Sequence, residues 1–158
     1  MTRAAADAVV RTRSTAETEA LGERIGRAAA PGDVVALWGE LGSGKTTLVR
    51  GIARGLGVPD RAVTSPTFVI VHEHDDGRLP LFHVDLYRLA PGDVPSTGWD
   101  EALSSGGVTA IEWPDRVATL LPAERLDVHL SAGGGDEREI KLEAAGPQAR
   151  RLLEAAAA

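Results

Sequence analysis

Gly39-Glu40-Leu41-Gly42-Ser43-Gly44-Lys45-Thr46 follows the apolar run Val34-Val35-Ala36-Leu37-Trp38 and leads into Thr47-Leu48-Val49-Arg50-Gly51-Ile52. The first flank reads as a buried strand and the second as a helix, so the octet is a glycine-rich turn from strand to helix. It fits G-x-x-x-x-G-K-[ST], the spacing of a loop that cradles nucleotide phosphates. A triphosphate is dense negative charge, and a helix N-terminus offers unpaired N–H groups and the positive end of a dipole. Gly39, Gly42 and Gly44 let backbone approach the phosphates without Cβ clashes. Glu40, Leu41, Ser43 and Thr47 complete the candidate binding segment. Lys45 is the candidate for the β- and γ-phosphates, and Thr46 offers a hydroxyl to Mg²⁺, which favours hard oxygen ligands.

A loop that binds still needs an acid near the metal and a group to place water. Val108-Thr109-Ala110-Ile111 is a short buried strand that runs out at Glu112. Glu112 is therefore the candidate metal-site acid, the alternative being a strand-end glutamate facing solvent. His83-Val84-Asp85-Leu86-Tyr87 alternates with period two, which puts His83, Asp85 and Tyr87 on one face. Asp85 is the candidate to orient attacking water or to contact the metal shell; a solvated face of an edge hairpin explains the same stripe. Ser65-Pro66-Thr67 offers two hydroxyls in a rigid turn, suited either to sensing a γ-phosphate or to satisfying local backbone. His72 and His74 share a strand face but lack an evident third metal ligand. Trp113 packs in the core or shields the site, and the sequence does not choose.

The remaining chain surrounds this unit with ordinary α/β elements. Residues 9–13 read as a short strand. Ser14 and Glu17 form a capping box, followed by Leu21, Ile25 and Ala28 or Ala29 at helical spacing. Pro31-Gly32-Asp33 stops that helix, and the next helix ends within residues 55–59. Residues 68–71 and 79–86 form a hairpin about Asp76-Gly77. Residues 91–95 are a loop and 99–103 a short helix. Residues 126–130 alternate cleanly, Gly133-Gly134-Gly135-Asp136 turns, and Ile140 and Leu142 share the face of a last strand. Residues 1–8 are expected to be flexible or frayed, and residues 150–158 to form a terminal helix that is frayed.

The chain has 158 residues and no internal repeat or long linker, which suits one domain over 1–158. It has no cysteine, so disulfides and thiolate zinc sites are excluded. No apolar run approaches the ~18 residues of a membrane span, and residues 1–8 lack the pattern of a secretory signal. No membrane is expected, and a cytoplasmic location agrees. The formal net charge is −6 and the arginines are scattered apart from Arg150-Arg151. That balance argues against direct, tight RNA binding.

Four stretches in order resemble the TsaE (YjeE) family of bacterial ATPases: residues 39–47, Thr64-Ser65-Pro66-Thr67-Phe68, His83-Val84-Asp85-Leu86-Tyr87-Arg88-Leu89 and Ile111-Glu112-Trp113-Pro114-Asp115. The resemblance runs from about residue 14 to residue 142. It implies an α/β P-loop NTPase fold, a single domain with a mostly parallel sheet and added antiparallel strands. It implies ATP and Mg²⁺ as cofactors and weak hydrolysis that partners stimulate. The implied partners are TsaB and TsaD, with TsaD carrying the transferase chemistry of tRNA threonylcarbamoyladenosine synthesis and tRNA reached only through that complex. Lys45 is similar to the family's phosphate lysine, Thr46 and Glu112 to its Mg²⁺ ligands, and Asp85 to an acid needed for activity. Ser65 and Thr67 match its switch segment. Thr12, Ser14 and Thr18 lie where its N-terminal segment covers the base. Two prolines within residues 90–99 depart from the family's acidic, leucine-rich stretch, and Ser43 stands where alanine is commoner.

No arginine stands in an obvious finger position, so slow turnover alone is expected; a partner's arginine can add about 10³–10⁵ in rate. Two other classes remain open. One is a small-molecule kinase with Asp85 as base, although Arg116 and Arg125 do not form a lid-like cluster. The other is a nucleotide-dependent switch without meaningful turnover.

Overall fold

The computed structural model describes residues 5–59, 71–87 and 98–158. Among them the chain forms β1 (Ala5–Thr12), α1 (Thr15–Ala28), β2 (Val34–Trp38), α2 (Lys45–Gly55), β3 (Val71–His74), β4 (Leu81–Asp85), β5 (Val108–Glu112), β6 (Arg125–Ala132), β7 (Arg138–Ala145) and α3 (Pro147–Ala157). Two 3-10 helices, Trp99–Ser104 and Pro114–Leu120, flank β5. The strands make one mixed sheet in the order β1-β7-β6-β2-β5-β4-β3. Its centre, β6-β2-β5-β4, is parallel, and β7, β1 and β3 join antiparallel at the edges.

Period two divides the sheet between two apolar layers. Val35 and Leu37 of β2, Val128 of β6 and Ile140 of β7 pack with Leu21 and Ile25 of α1, Leu48 and Ile52 of α2, and Leu152 of α3. On the opposite face Val34, Val84, Leu86 and Ile111 pack with Trp99 and Val117 of the 3-10 helices. The continuous apolar character of β2 and β5 follows from burial on both faces. The carboxyl ends of β2, β4 and β5 lie side by side, with Leu37 opposite Glu112 and Asp85 opposite Glu112. Open α/β sheets bind ligands at such strand ends.

Helix α1 begins as its capping box requires. Ser14 Oγ accepts the Glu17 N–H at 3.1 Å, while Glu17 Oε1 accepts the Arg13 N–H at 2.8 Å, one residue earlier than the usual reciprocal bond. Helices α1 and α2 meet through glycines: Gly22 and Gly26 face Gly51 and Gly55. A Cβ on Gly51 would lie 2.1 Å from the Glu19 carbonyl oxygen. Gly51→Ala should gain about 1 kcal/mol of helix propensity and lose more to overpacking against backbone, about 1–3 kcal/mol. We expect a melting temperature lower by about 5 °C; an unchanged melt would mean that the two helices do not approach this closely.

One chain end differs from the sequence expectation, and at the other the expected helix is present and longer, starting at Pro147. Strand β1 starts at Ala5 rather than at residue 9, because residues 5–8 pair with residues 142–145 of β7. Residues 150–158 are not frayed through their length. Helix α3 buries Ala149, Leu152, Leu153 and Ala156, and Arg24 Nη2 donates to the Ala156 carbonyl at 2.8 Å. The turn at residues 64–67, the strand start at 68–70 and the loop at 91–95 lie outside the described residues.

Candidate functional site

The glycine loop leaves β2 and turns at once, with the Ser43 N–H donating to Glu40 O at 3.1 Å. Gly42 and Gly44 have φ of 80° and 105°, values open to glycine and strained for other residues. Helix α2 begins at Lys45, two residues before the sequence suggested. Its N-cap, Gly44, provides no side-chain cap, and its first turn holds no acidic residue. The first N–H groups and the positive dipole end are thus left for an anion. Leu41 stands at the loop tip, 71% exposed, and Glu40 is exposed beside it. Ser43 Oγ is buried with no hydrogen-bond partner among the described residues.

Lys45 folds back over the loop. Its Nζ donates to Gly39 O at 2.5 Å and Glu40 O at 3.2 Å, and lies 3.8 Å from the centroid of the Trp113 ring. Burial holds this ammonium below the ordinary lysine range, while Glu112, then Asp85, Glu40 and Asp115, draw it back up. A cation held against carbonyl dipoles and an indole face has a stronger attraction available from any anion that enters.

Thr46, one residue on, points to β5. Its Oγ1 donates to Glu112 at 3.1 Å (Oε2) and 3.3 Å (Oε1). His83 lies beneath and donates from Nε2 to Glu112 Oε2 at 2.5 Å, because a carboxylate oxygen in this pair can only accept. His83 is fully buried and Glu112 only 3% exposed, so the solvent-facing alternative for Glu112 does not hold. Asp85, at the end of β4, sits beside Glu112 in register and accepts the Tyr87 N–H at 3.0 Å. Burial raises its pKa above the ordinary aspartate range, with the Tyr87 N–H opposing and Glu112 adding to the rise.

Trp113 is the residue whose role the sequence left undecided. Among the described residues it is the one non-glycine at positive φ, 59°, held there where β5 gives way to the 3-10 helix that opens with Pro114. This strained turn lays the indole between Lys45 and Tyr87, whose ring centroid is 4.8 Å away. Trp113 therefore does both: it packs against the core around Ile111 and Val117 and lays its ring beside Lys45. Tyr87, the third member of the polar stripe, is exposed.

Other candidates lie elsewhere. Thr12 and Thr18 are buried and hydrogen-bond each other at 2.7 Å, which ties β1 to α1. Ser65 and Thr67 fall outside the described residues. His72 and His74 meet edge to edge at 5.9 Å, and no group of three or more potential metal-ligating side chains is found among the described residues. His129 stacks on Trp38 and pairs with Glu143 at 2.8 Å. Arg116 donates to Tyr87 O and Arg125 to Asp127, so neither reaches into the loop. Sequence reasoning missed Arg138, which grips the loop from β7; no local pattern joins residue 138 to residue 43. No helix among the described residues is long and apolar enough to cross a membrane.

The family described as Threonylcarbamoyl adenosine biosynthesis protein TsaE matches residues 12–140. The tRNA threonylcarbamoyladenosine biosynthesis protein TsaE of Bacillus subtilis (strain 168) is 43% identical over 144 residues, covering 91% of this chain and 90% of that protein. The protein of the same name from Streptomyces coelicolor is 45% identical over 121 residues, covering 73% of this chain and 80% of its own. The crystal structure of Bacillus subtilis YdiB superposes with a TM-score of 0.80 at 37% identity, covering 98% of this chain and 97% of that one.

Proposed function

The chain belongs to the TsaE family of tRNA threonylcarbamoyladenosine biosynthesis proteins, and from that premise we propose that it is a P-loop ATPase that binds and slowly hydrolyses Mg·ATP. The reading is carried by one observation: Lys45, Thr46 and Glu112 converge where β2 gives way to an uncapped α2. The donor set fits both groups. Positive-φ glycines and open N–H groups suit phosphate oxygens, and a hydroxyl beside a buried carboxylate suits a hard divalent cation.

In this reading the triphosphate lies along residues 39–47, with Lys45 released from Gly39 O and Glu40 O to meet it. Thr46 Oγ1 and Glu112 would hold Mg²⁺, which would supply charge neutralisation on the phosphate oxygens. Glu112 stays in place because His83 anchors it from below. Asp85 accepts the proton of the attacking water or orients that water, with its raised pKa suited to a proton acceptor. Trp113 keeps bulk water from Lys45 and so strengthens the field that the phosphate meets. Arg116 and Arg138 are both engaged with backbone carbonyls. In this reading a partner supplies the cation for the transition state, and turnover by the chain alone is slow.

The proposed partners are TsaB and TsaD, in the cytoplasm, with tRNA held by the complex. Adding the chain and ATP to TsaB and TsaD should convert a single round of tRNA modification into many. An equal yield of modified tRNA with and without the chain would reject the proposal.

Asp85→Asn should leave nucleotide affinity within about twofold and lower turnover by about 10²-fold. The folded pKa of Asp85 is raised, so folding favours its protonated form; that stabilisation is present at acid pH and lost as pH rises through the folded value. At neutral pH the neutral asparagine should therefore melt no lower than wild type. Wild-type turnover should fall on the acid side at a higher pH than an ordinary aspartate would dictate. A variant that melts lower and keeps full turnover would remove Asp85 from the chemistry.

A further inference from the structure

We infer that Arg138 is a positioning residue that presets the glycine loop for anion binding from behind. The inference rests on the proposed reading that this loop takes phosphate. Arg138 begins β7, opposite Thr12 of β1. Its Nε donates to Ser43 O at 2.8 Å and its Nη2 to Gly42 O at 3.2 Å. Its Nη1 donates to Gly135 O at 2.7 Å and Glu137 O at 2.8 Å. One planar fork thus ties two loops together through four carbonyls, and it pairs with no carboxylate among the described residues.

The consequence follows from peptide geometry. In a trans peptide the C=O of one residue and the N–H of the next point in opposite directions. Gly42 O shares a peptide with the Ser43 N–H, and Ser43 O shares one with the Gly44 N–H. Drawing both carbonyls toward Arg138 therefore turns both N–H groups away from it. The Ser43 N–H is caught by Glu40 O, so the first of these peptides is held at both ends. The second aims the Gly44 N–H to the side opposite Arg138, immediately before Lys45. Without the guanidinium, this peptide is free to flip, which would turn a carbonyl toward an incoming phosphate.

The grip is also well founded on the far side. The turn that carries Gly135 is closed by the Gly133 N–H to Glu137 O at 2.8 Å and the Glu137 N–H to Gly134 O at 3.0 Å. Arg138 is thus braced by a short hairpin and lies beside Gly44, where an added Cβ would sit 3.4 Å from its Nε. Lysine cannot replace this. Its ammonium is a point charge with three donors on a flexible stem, and it cannot span four carbonyls in one plane.

The test is Mg·ADP affinity of wild type, Arg138→Lys and Arg138→Ala, each with a thermal melt taken without nucleotide. We expect affinity to fall about tenfold in the lysine variant and more in the alanine variant. Millimolar guanidinium, but not equimolar NaCl, should restore most of the alanine variant's loss and none of the lysine variant's. The melts taken without nucleotide separate positioning from a general loss of stability: the lysine variant should bind Mg·ADP more weakly while melting within a few degrees of wild type. Wild-type affinity in the lysine variant would overturn the inference. So would a loss in the alanine variant that guanidinium leaves untouched. Absence of Mg·ADP binding by the wild type would instead strike the reading beneath it and remove both.

Discussion

Lys45→Ala is expected to weaken ATP binding by roughly 10²–10³-fold, the effect of deleting a buried cation from a charge-paired contact worth about 3–5 kcal/mol. The fold should tolerate the change. The Lys45 side chain is buried, and burial lowers its pKa, so at neutral pH its charge is held at a cost in the folded chain. Alanine removes that cost together with the bonds to Gly39 O and Glu40 O. The loop turn itself rests on the Ser43 N–H to Glu40 O bond and on Arg138, which the substitution leaves alone. Calorimetric titration beside a melt taken without nucleotide checks both halves. Retained affinity with an unchanged melt would take Lys45 out of the phosphate site; a collapsed melt would make the lysine structural.

The second large effect is at Glu112. Under the proposed function, both Glu112→Gln and Glu112→Ala should abolish the gain in ATP affinity that Mg²⁺ provides and lower turnover by about 10³-fold. The two variants separate metal from packing. Glutamine keeps a carbonyl oxygen that can accept from His83 Nε2 or Thr46 Oγ1. Alanine leaves the fully buried His83 donor without its acceptor, which costs about 1–3 kcal/mol of stability. The alanine variant should therefore melt several degrees lower and the glutamine variant close to wild type. The readout is ATP affinity titrated with Mg²⁺ and with EDTA. An unchanged Mg²⁺ dependence in both variants would leave Glu112 as a structural acid between His83 and Thr46.

What was legible in the sequence was local or periodic. The octet at 39–46 carried its own turn chemistry, and its flanks told strand from helix. Period two put His83 and Asp85 on one face, where both now meet Glu112. It did not show that His83 would be fully buried against Glu112 of β5, since burial depends on elements far along the chain. Ser14 and Glu17 announced the start of α1 correctly. The misses were long-range. The full length of β1 depends on β7, more than a hundred residues away, and α3 is ordered by the helices and sheet it packs on. Trp113 could not be placed because its role hangs on a positive φ that sequence does not announce in a non-glycine residue. Arg138 was invisible because its partners are backbone carbonyls, which every residue possesses.

The most direct measurement is a crystal structure of the chain grown with Mg²⁺ and a non-hydrolysable ATP analogue. The triphosphate should lie on the N–H groups of residues 42–46, with Lys45 Nζ moved from Gly39 O to phosphate and Thr46 and Glu112 parted by the ion. Lys45 still bonded to Gly39 O, with Thr46 still bonded to Glu112 and the nucleotide bound elsewhere or not at all, would contradict the proposed function.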